Sequence, residues 1–226
     1  MSTEYAHTND GYVTRFQQSS WSDARNNIAG TQASSTTPAH YTGITAEKVS
    51  ARGGGFLYSI FRSFMYFDTS SITDTVSDAT LRIRGYSSDS GDCIVLQATS
   101  DIATLGTADF GAITGWDITT DGSGGGDNES NVTKYSDEVT SWSTSGYVNI
   151  ALNSTAKTDM EDNDTLYVAL VNYDHDLLDI EPTGYASNRN GLYYINSLGT
   201  SKDPYLDYTV TAAVQITNAT FFGANF

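Results

Sequence analysis

The chain has 226 residues with 11 basic and 27 acidic side chains, a net charge of −16. That balance argues against a partner held through its phosphate backbone, because such contacts need Lys and Arg. One cysteine, Cys93, excludes an intramolecular disulfide framework and a Cys-rich zinc site.

The length fits one large domain, able to bury about 70% of its unfolded surface without a disulfide or metal. No run nears the ~18 apolar residues of a membrane span. Met1-Ser2-Thr3-Glu4-Tyr5 offers neither a basic nor an apolar region of a Sec-type signal, so export by the general route is not expected. Charged residues are 17% of the chain and aromatics 12%, a composition poor in helix formers and rich in strand and turn residues.

In chain order, residues 1–9 read as an N-terminal arm and 11–16 as the first strand. Residues 17–50 form a long polar stretch, expected to be a loop that is functional or packed across a sheet. Within 61–67, Phe61, Met65 and Phe67 share one face while Arg62, Phe64 and Tyr66 share the other. Asp68-Thr69-Ser70-Ser71 then reads as a turn closed by its own side chains. In 79–86, Leu81 and Ile83 point inward, Arg82 and Arg84 outward. Further strands are expected at 93–99, 147–152, 165–172, 192–196 and 205–212. A short helix over 154–162 is capped by Asn153 or Ser154. The fold class is all-β: a single antiparallel sandwich of jelly-roll type over residues 10–212, with an apolar C-terminal tail, 213–226.

Charge is uneven along the chain. Residues 1–84 hold seven basic and seven acidic side chains, so the whole net charge lies in 85–226. This suggests either a solvated surface or a neutral face that docks with an acidic face left to solvent. Arg62 is expected to pin strands by pairing with Asp68 or an acid of a neighbouring strand.

The three histidines, His7, His40 and His175, form no metal-spaced pair, and phosphate-loop and G-x-S-x-G spacings are missing. Carboxylate clusters are the better candidates, since oxygen-rich loops at strand ends could hold Ca²⁺. The strongest contains Asp174, Asp176 and Asp179; a second contains Asp121, Asp127, Asn128 and Glu129. No cofactor is required by the fold, and calcium is the one considered. Among aromatics near predicted loops, Trp116, Tyr173 and Tyr185 are glycan-stacking candidates beside Trp21 and Trp142, with core packing as the alternative.

Several segments together carry a likeness. Asp10-Gly11-Tyr12-Val13 and Trp21-Ser22-Asp23-Ala24-Arg25 precede Arg62-Ser63-Phe64-Met65-Tyr66-Phe67-Asp68-Thr69-Ser70-Ser71-Ile72. Ala79-Thr80-Leu81-Arg82-Ile83 follows, and Asp203-Pro204-Tyr205-Leu206-Asp207-Tyr208-Thr209 closes the set. This order resembles the DNRLRE-type, disaggregatase-related β-sandwich modules, and is similar to virion and surface proteins of environmental phages. The resemblance implies binding or attachment without catalysis. It implies a phage virion structural protein, such as a capsid decoration or fibre component, assembled in the host cytoplasm with other virion proteins or copies of itself. The alternative is an extracellular carbohydrate-binding adhesion module, and an enzyme ranks third.

The tail 213–226 is uncharged, with Phe221, Phe222 and Phe226 among its last residues. Such a segment is expected to pack on its own sheet or on a neighbour, by strand addition or pocket filling.

Overall fold

The computed structural model describes residues 1–35, 43–89, 91–117, 126–183, 186–196 and 200–212. Among them, eleven strands join into one continuous antiparallel network that folds over on itself as two layers. In chain order these are β1 (Ser2–Tyr5), β2 (Gly11–Gln18), β3 (Gln32–Ser34), β4 (Ile44–Ser50), β5 (Phe56–Asp68), β6 (Thr75–Asp89), β7 (Cys93–Gln97), β8 (Tyr147–Ala151), β9 (Thr165–Asn172), β10 (Ala186–Leu192) and β11 (Tyr205–Thr211). Two short helices, α1 (Trp21–Arg25) and α2 (Ser154–Asp162), complete the regular structure. No described helix is long and apolar enough to cross a membrane.

The first layer runs β1-β11-β6-β8. The second is built on the thirteen-residue β5, which meets β2 along one edge from Tyr58 to Phe64. On the opposite edge β4 pairs with Phe56–Phe61, and β9 then pairs with the stretch from Ser63 to Asp68. β6 is shared between layers: it pairs with β11 and β8 up to Arg84, then with β10 from Gly85 to Ser88. A Cβ at Gly85 would lie 2.1 Å from the Ser143 carbonyl oxygen, so only glycine fits at this crossing point.

Alternation along β5 and β6 explains the two cores. Met65 and Phe67 join Leu81, Ile83, Val148, Val168 and Leu206 between the layers. The opposite face of β5, with Ile60 and Phe64, builds a second core with Ile94, Phe110, Trp116 and Leu177, roofed by α1 and by the turns that follow β7 and β9. The second layer is therefore buried on both faces.

The expected strands at 11–16, 61–67, 79–86, 93–99, 147–152, 165–172 and 205–212 all form, and α2 has the expected bounds, its Asn153 side chain accepting from the Ala156 N–H. The strand expected at 192–196 instead runs Ala186–Leu192, where Asn188 and Asn190 find ladder partners in β4. Polar content hid it, as it hid α1, β3 and β4 inside the presumed 17–50 loop. The N-terminal arm is not loose: β1 adds to the edge of β11. Residues 1–84 supply strands to both layers, so they do not make up one neutral face.

Candidate functional site

Arg62 lies midway along β5 on its outward side, facing the second core. Its Nε donates to Asp176 Oδ2 and its terminal nitrogen to Oδ1, each at 2.7 Å. The other terminal nitrogen donates to the Phe110 carbonyl at 2.8 Å. Phe110 and Trp116 flank the guanidinium, their ring centres 4.0 and 4.3 Å away.

Arg25 reaches the same point from the end of α1, a helix whose first turn is capped by Ser20 Oγ. It donates to the carbonyls of Asp176, Gly126 and Leu177, and stands 3.4 Å from Asp179 Oδ2. Burial holds the Arg25 pKa below its usual value, partly offset by Asp176 and Asp179. Arg25, Arg62 and Asp176 have no solvent exposure. Buried charges survive only when paired and hydrogen-bonded, and here every partner belongs to the roof or to β5. The cluster is a clamp.

This clamp consumes two predicted calcium ligands. Asp176 is enclosed by the two arginines. Asp179, at φ +54°, accepts from Trp21 Nε1 and the Gly126 N–H, both at 2.8 Å. Asp174, Asp176 and Asp179 therefore do not converge on a common point. Arg62 pairs with Asp176 rather than Asp68, while Asp68 closes its own turn through the Ser70 N–H and hydroxyl, as expected. In the second acidic group, Asp127 caps Glu129, Asn128 accepts from the Asp117 N–H, and Glu129 takes Lys134. Asp121 lies outside the described residues.

Trp116, predicted as a glycan platform, is 8% exposed and packs on Arg62. Its Nε1 has no acceptor among the described residues. Trp21 is likewise buried. Tyr173 is half-buried and donates to Glu129 at 3.2 Å. Tyr185, Phe221, Phe222 and Phe226 fall outside the described residues.

Asp174 keeps different company. Its carboxylate lies with those of Asp92 and Glu138, their oxygens all within 4.8 Å of one another. Burial raises Asp92 and Glu138 above the usual carboxylate range, and mutual repulsion adds to it. Asp92 and Glu138 escaped sequence reasoning because 82 residues separate Asp92 from Asp174.

The first layer differs from the second: its outer face lacks a roof among the described residues. Strand register brings Tyr5 opposite Tyr205, Tyr205 opposite Arg82, and Arg82 opposite Asn149, with Tyr147 opposite Arg84. Tyr205 touches Tyr5 at 5.6 Å and Tyr147 at 5.1 Å between ring centres. Arg82 bonds Asp207 and Asn149 across the face. The alternation of Arg82 and Arg84 with Leu81 and Ile83 marked this face, but the tyrosine row depends on register.

Along the β8 edge of the same layer runs a groove. It consists of clefts of about 360 and about 270 Å³, between β8 and residues 136–143, with Val139, Trp142 and Tyr147 among its walls. Trp142 donates to the Gly191 carbonyl at 3.1 Å, which fixes its ring.

No protein-family model matches the chain, and no curated protein matches it.

Proposed function

We propose that the protein is a non-enzymatic structural component of a phage virion, a decoration, fibre or other attachment protein that contacts virion partners or copies of itself. The supporting observation is the asymmetry of the sandwich. One layer is roofed and clamped by Arg25, Arg62 and Asp176, and the other, among the described residues, presents an open face and an edge groove. Asp176 and Asp179, two of the acids singled out for chemistry, hold the roof, which suits a rigid scaffold with a broad contact surface. The phage setting rests on the likeness to DNRLRE-type modules in the segments around Arg62 and Tyr205. Imaging and protein quantification of purified particles test it. Fixed stoichiometry at a defined surface position is the expected result, and absence from particles would remove the proposal.

A second reading, carbohydrate-binding adhesion, is favoured by the row Tyr5–Tyr205–Tyr147 beside Arg82, Asn149 and Asp207. Ring faces stack on sugar C–H groups while amides and carboxylates take the hydroxyls. A glycan array should then give a polysaccharide signal that Tyr205→Ala abolishes. A blank array retires this reading.

A further inference from the structure

We infer that β8 is an acceptor edge for an extended strand, and that its occupant is the uncharged segment around 214–222 of a second copy of this chain. This rests on the reading of the protein as a self-assembling structural component, and names the contact.

Backbone direction along β8 follows from one bond: the Leu152 N–H donates to the Ala79 carbonyl of β6 at 2.9 Å. Alternate residues of an antiparallel strand address the same neighbour, so Val148 and Ile150 face β6 while Tyr147, Asn149 and Ala151 turn their N–H and C=O groups away. No described strand pairs with β8 on that side. These groups border the groove. Residues 136–143 form its far wall, joined to the β8 arm at both ends: the Gly146 N–H bonds Ser143 Oγ at 3.1 Å, and the Asn153 N–H bonds the Tyr135 carbonyl at 2.8 Å. Between these ties the arms stand apart, over Val139 and Trp142, which pack on the core.

Tyr147-Val148-Asn149-Ile150-Ala151 carries no charge, proline or lysine, the devices that normally protect a sheet edge. Such an edge on a protein of net charge −16 calls for a partner strand. Asp137 and Glu138 on the groove wall disfavour an acidic one. Residues 213–226 have the required chemistry: no charge, and Val214 and Ile216 alternating with Gln215 and Thr217. Five residues on β8 need about 16 Å of extended strand, well within this segment's length.

The geometry favours the tail of another copy. β11 ends at Thr211, paired with Thr75 on the edge of β6 remote from β8. Around that end of β6 lies α2, whose Glu161 Oε1 accepts from the Val76 N–H at 2.7 Å. A tail returning to its own β8 would have to pass this helix.

Asn149→Pro removes one outward N–H and spares the ladder to β6; Ile216→Asp charges the donor and leaves the acceptor intact. Sedimentation of the full chain should show concentration-dependent association that strengthens with salt, because screening relieves repulsion between acidic copies. Each variant alone should sediment as a folded monomer with an unchanged circular dichroism spectrum, and an equimolar mixture should restore a one-way pair. Should Asn149→Pro misfold, a synthetic peptide of residues 213–226 titrated onto full-length Ile216→Asp should slow amide exchange at Tyr147, Asn149 and Ala151.

A full chain that stays monomeric, a folded Asn149→Pro variant that still associates, a silent mixture, or a peptide that leaves exchange unchanged would each overturn the inference. So would slow exchange at β8 in the wild-type monomer, or a glycan that occupies the groove and is lost with Trp142→Ala. Fixed stoichiometry in particles together with a monomeric purified chain would overturn this contact alone. Absence from particles would overturn the virion reading.

Discussion

Arg62 and Asp176 are 114 residues apart in sequence yet meet through two parallel hydrogen bonds of 2.7 Å, out of contact with solvent. The pair joins the central strand of the second layer to the turn that follows β9. Breaking one side of a buried pair leaves an uncompensated charge, which costs about 3–5 kcal/mol.

Asp176→Asn should therefore lower the unfolding free energy by about 3 kcal/mol or more, read from urea titration. The loss should exceed that of Asp68→Asn, whose carboxylate serves an exposed turn. Equal losses would mean that the clamp does not govern stability.

Asp10 gives a pH dependence of definite sign. It is fully buried, and both carboxylate oxygens lie within reach of the Ile195 N–H, at 3.2 and 2.9 Å. Burial pushes its pKa up to about 8; the Ile195 bond pulls it down and Asp203 adds to the rise. An unfolded Asp titrates near ~3.9. The stability supplied by the protonated form is thus whole below about pH 4 and is lost as pH rises through 8, at about 1.4 kcal/mol per unit. Asp10→Asn, neutral throughout, should remove that slope. Unfolding titrations should show the lead of the Asn variant growing between pH 5 and pH 9 by on the order of 4 kcal/mol.

Asp92, Glu138 and Asp174 repel one another at neutral pH. Asp174→Asn should raise the thermal midpoint by about 1–2 °C at pH 7, a modest gain because solvent screens surface charges. At pH 3, where Asp92 and Glu138, both raised above the usual carboxylate range, have lost their charge, the difference should shrink. A lower midpoint at pH 7 would show that the cluster stabilises the fold.

Cys93 is fully buried in β7, and burial raises its thiol pKa, with Asp92 and Glu138 adding to the effect. A thiol reagent should leave the native protein unlabelled and react once per chain in denaturant. Labelling within seconds under native conditions would show that the β7–β9 pair opens locally.

Local pattern determined a large part of the molecule. Alternation placed Leu81 and Ile83 against the core and Arg82 and Arg84 outside, and the Asn153 cap located α2, because these signals depend only on near neighbours in the chain. β10 escaped because its ladder to β4 uses Asn188 and Asn190, whose strand conformation is imposed by their neighbours rather than by propensity. Tertiary structure alone decided the fate of the acids. Asp174, Asp176 and Asp179 are near neighbours in sequence, yet one joins a surface trio, one is sealed between two arginines, and one holds a tryptophan and an arginine. A carboxylate's role depends on dielectric and on the charges brought to it by other strands, and neither is encoded within a few residues of it.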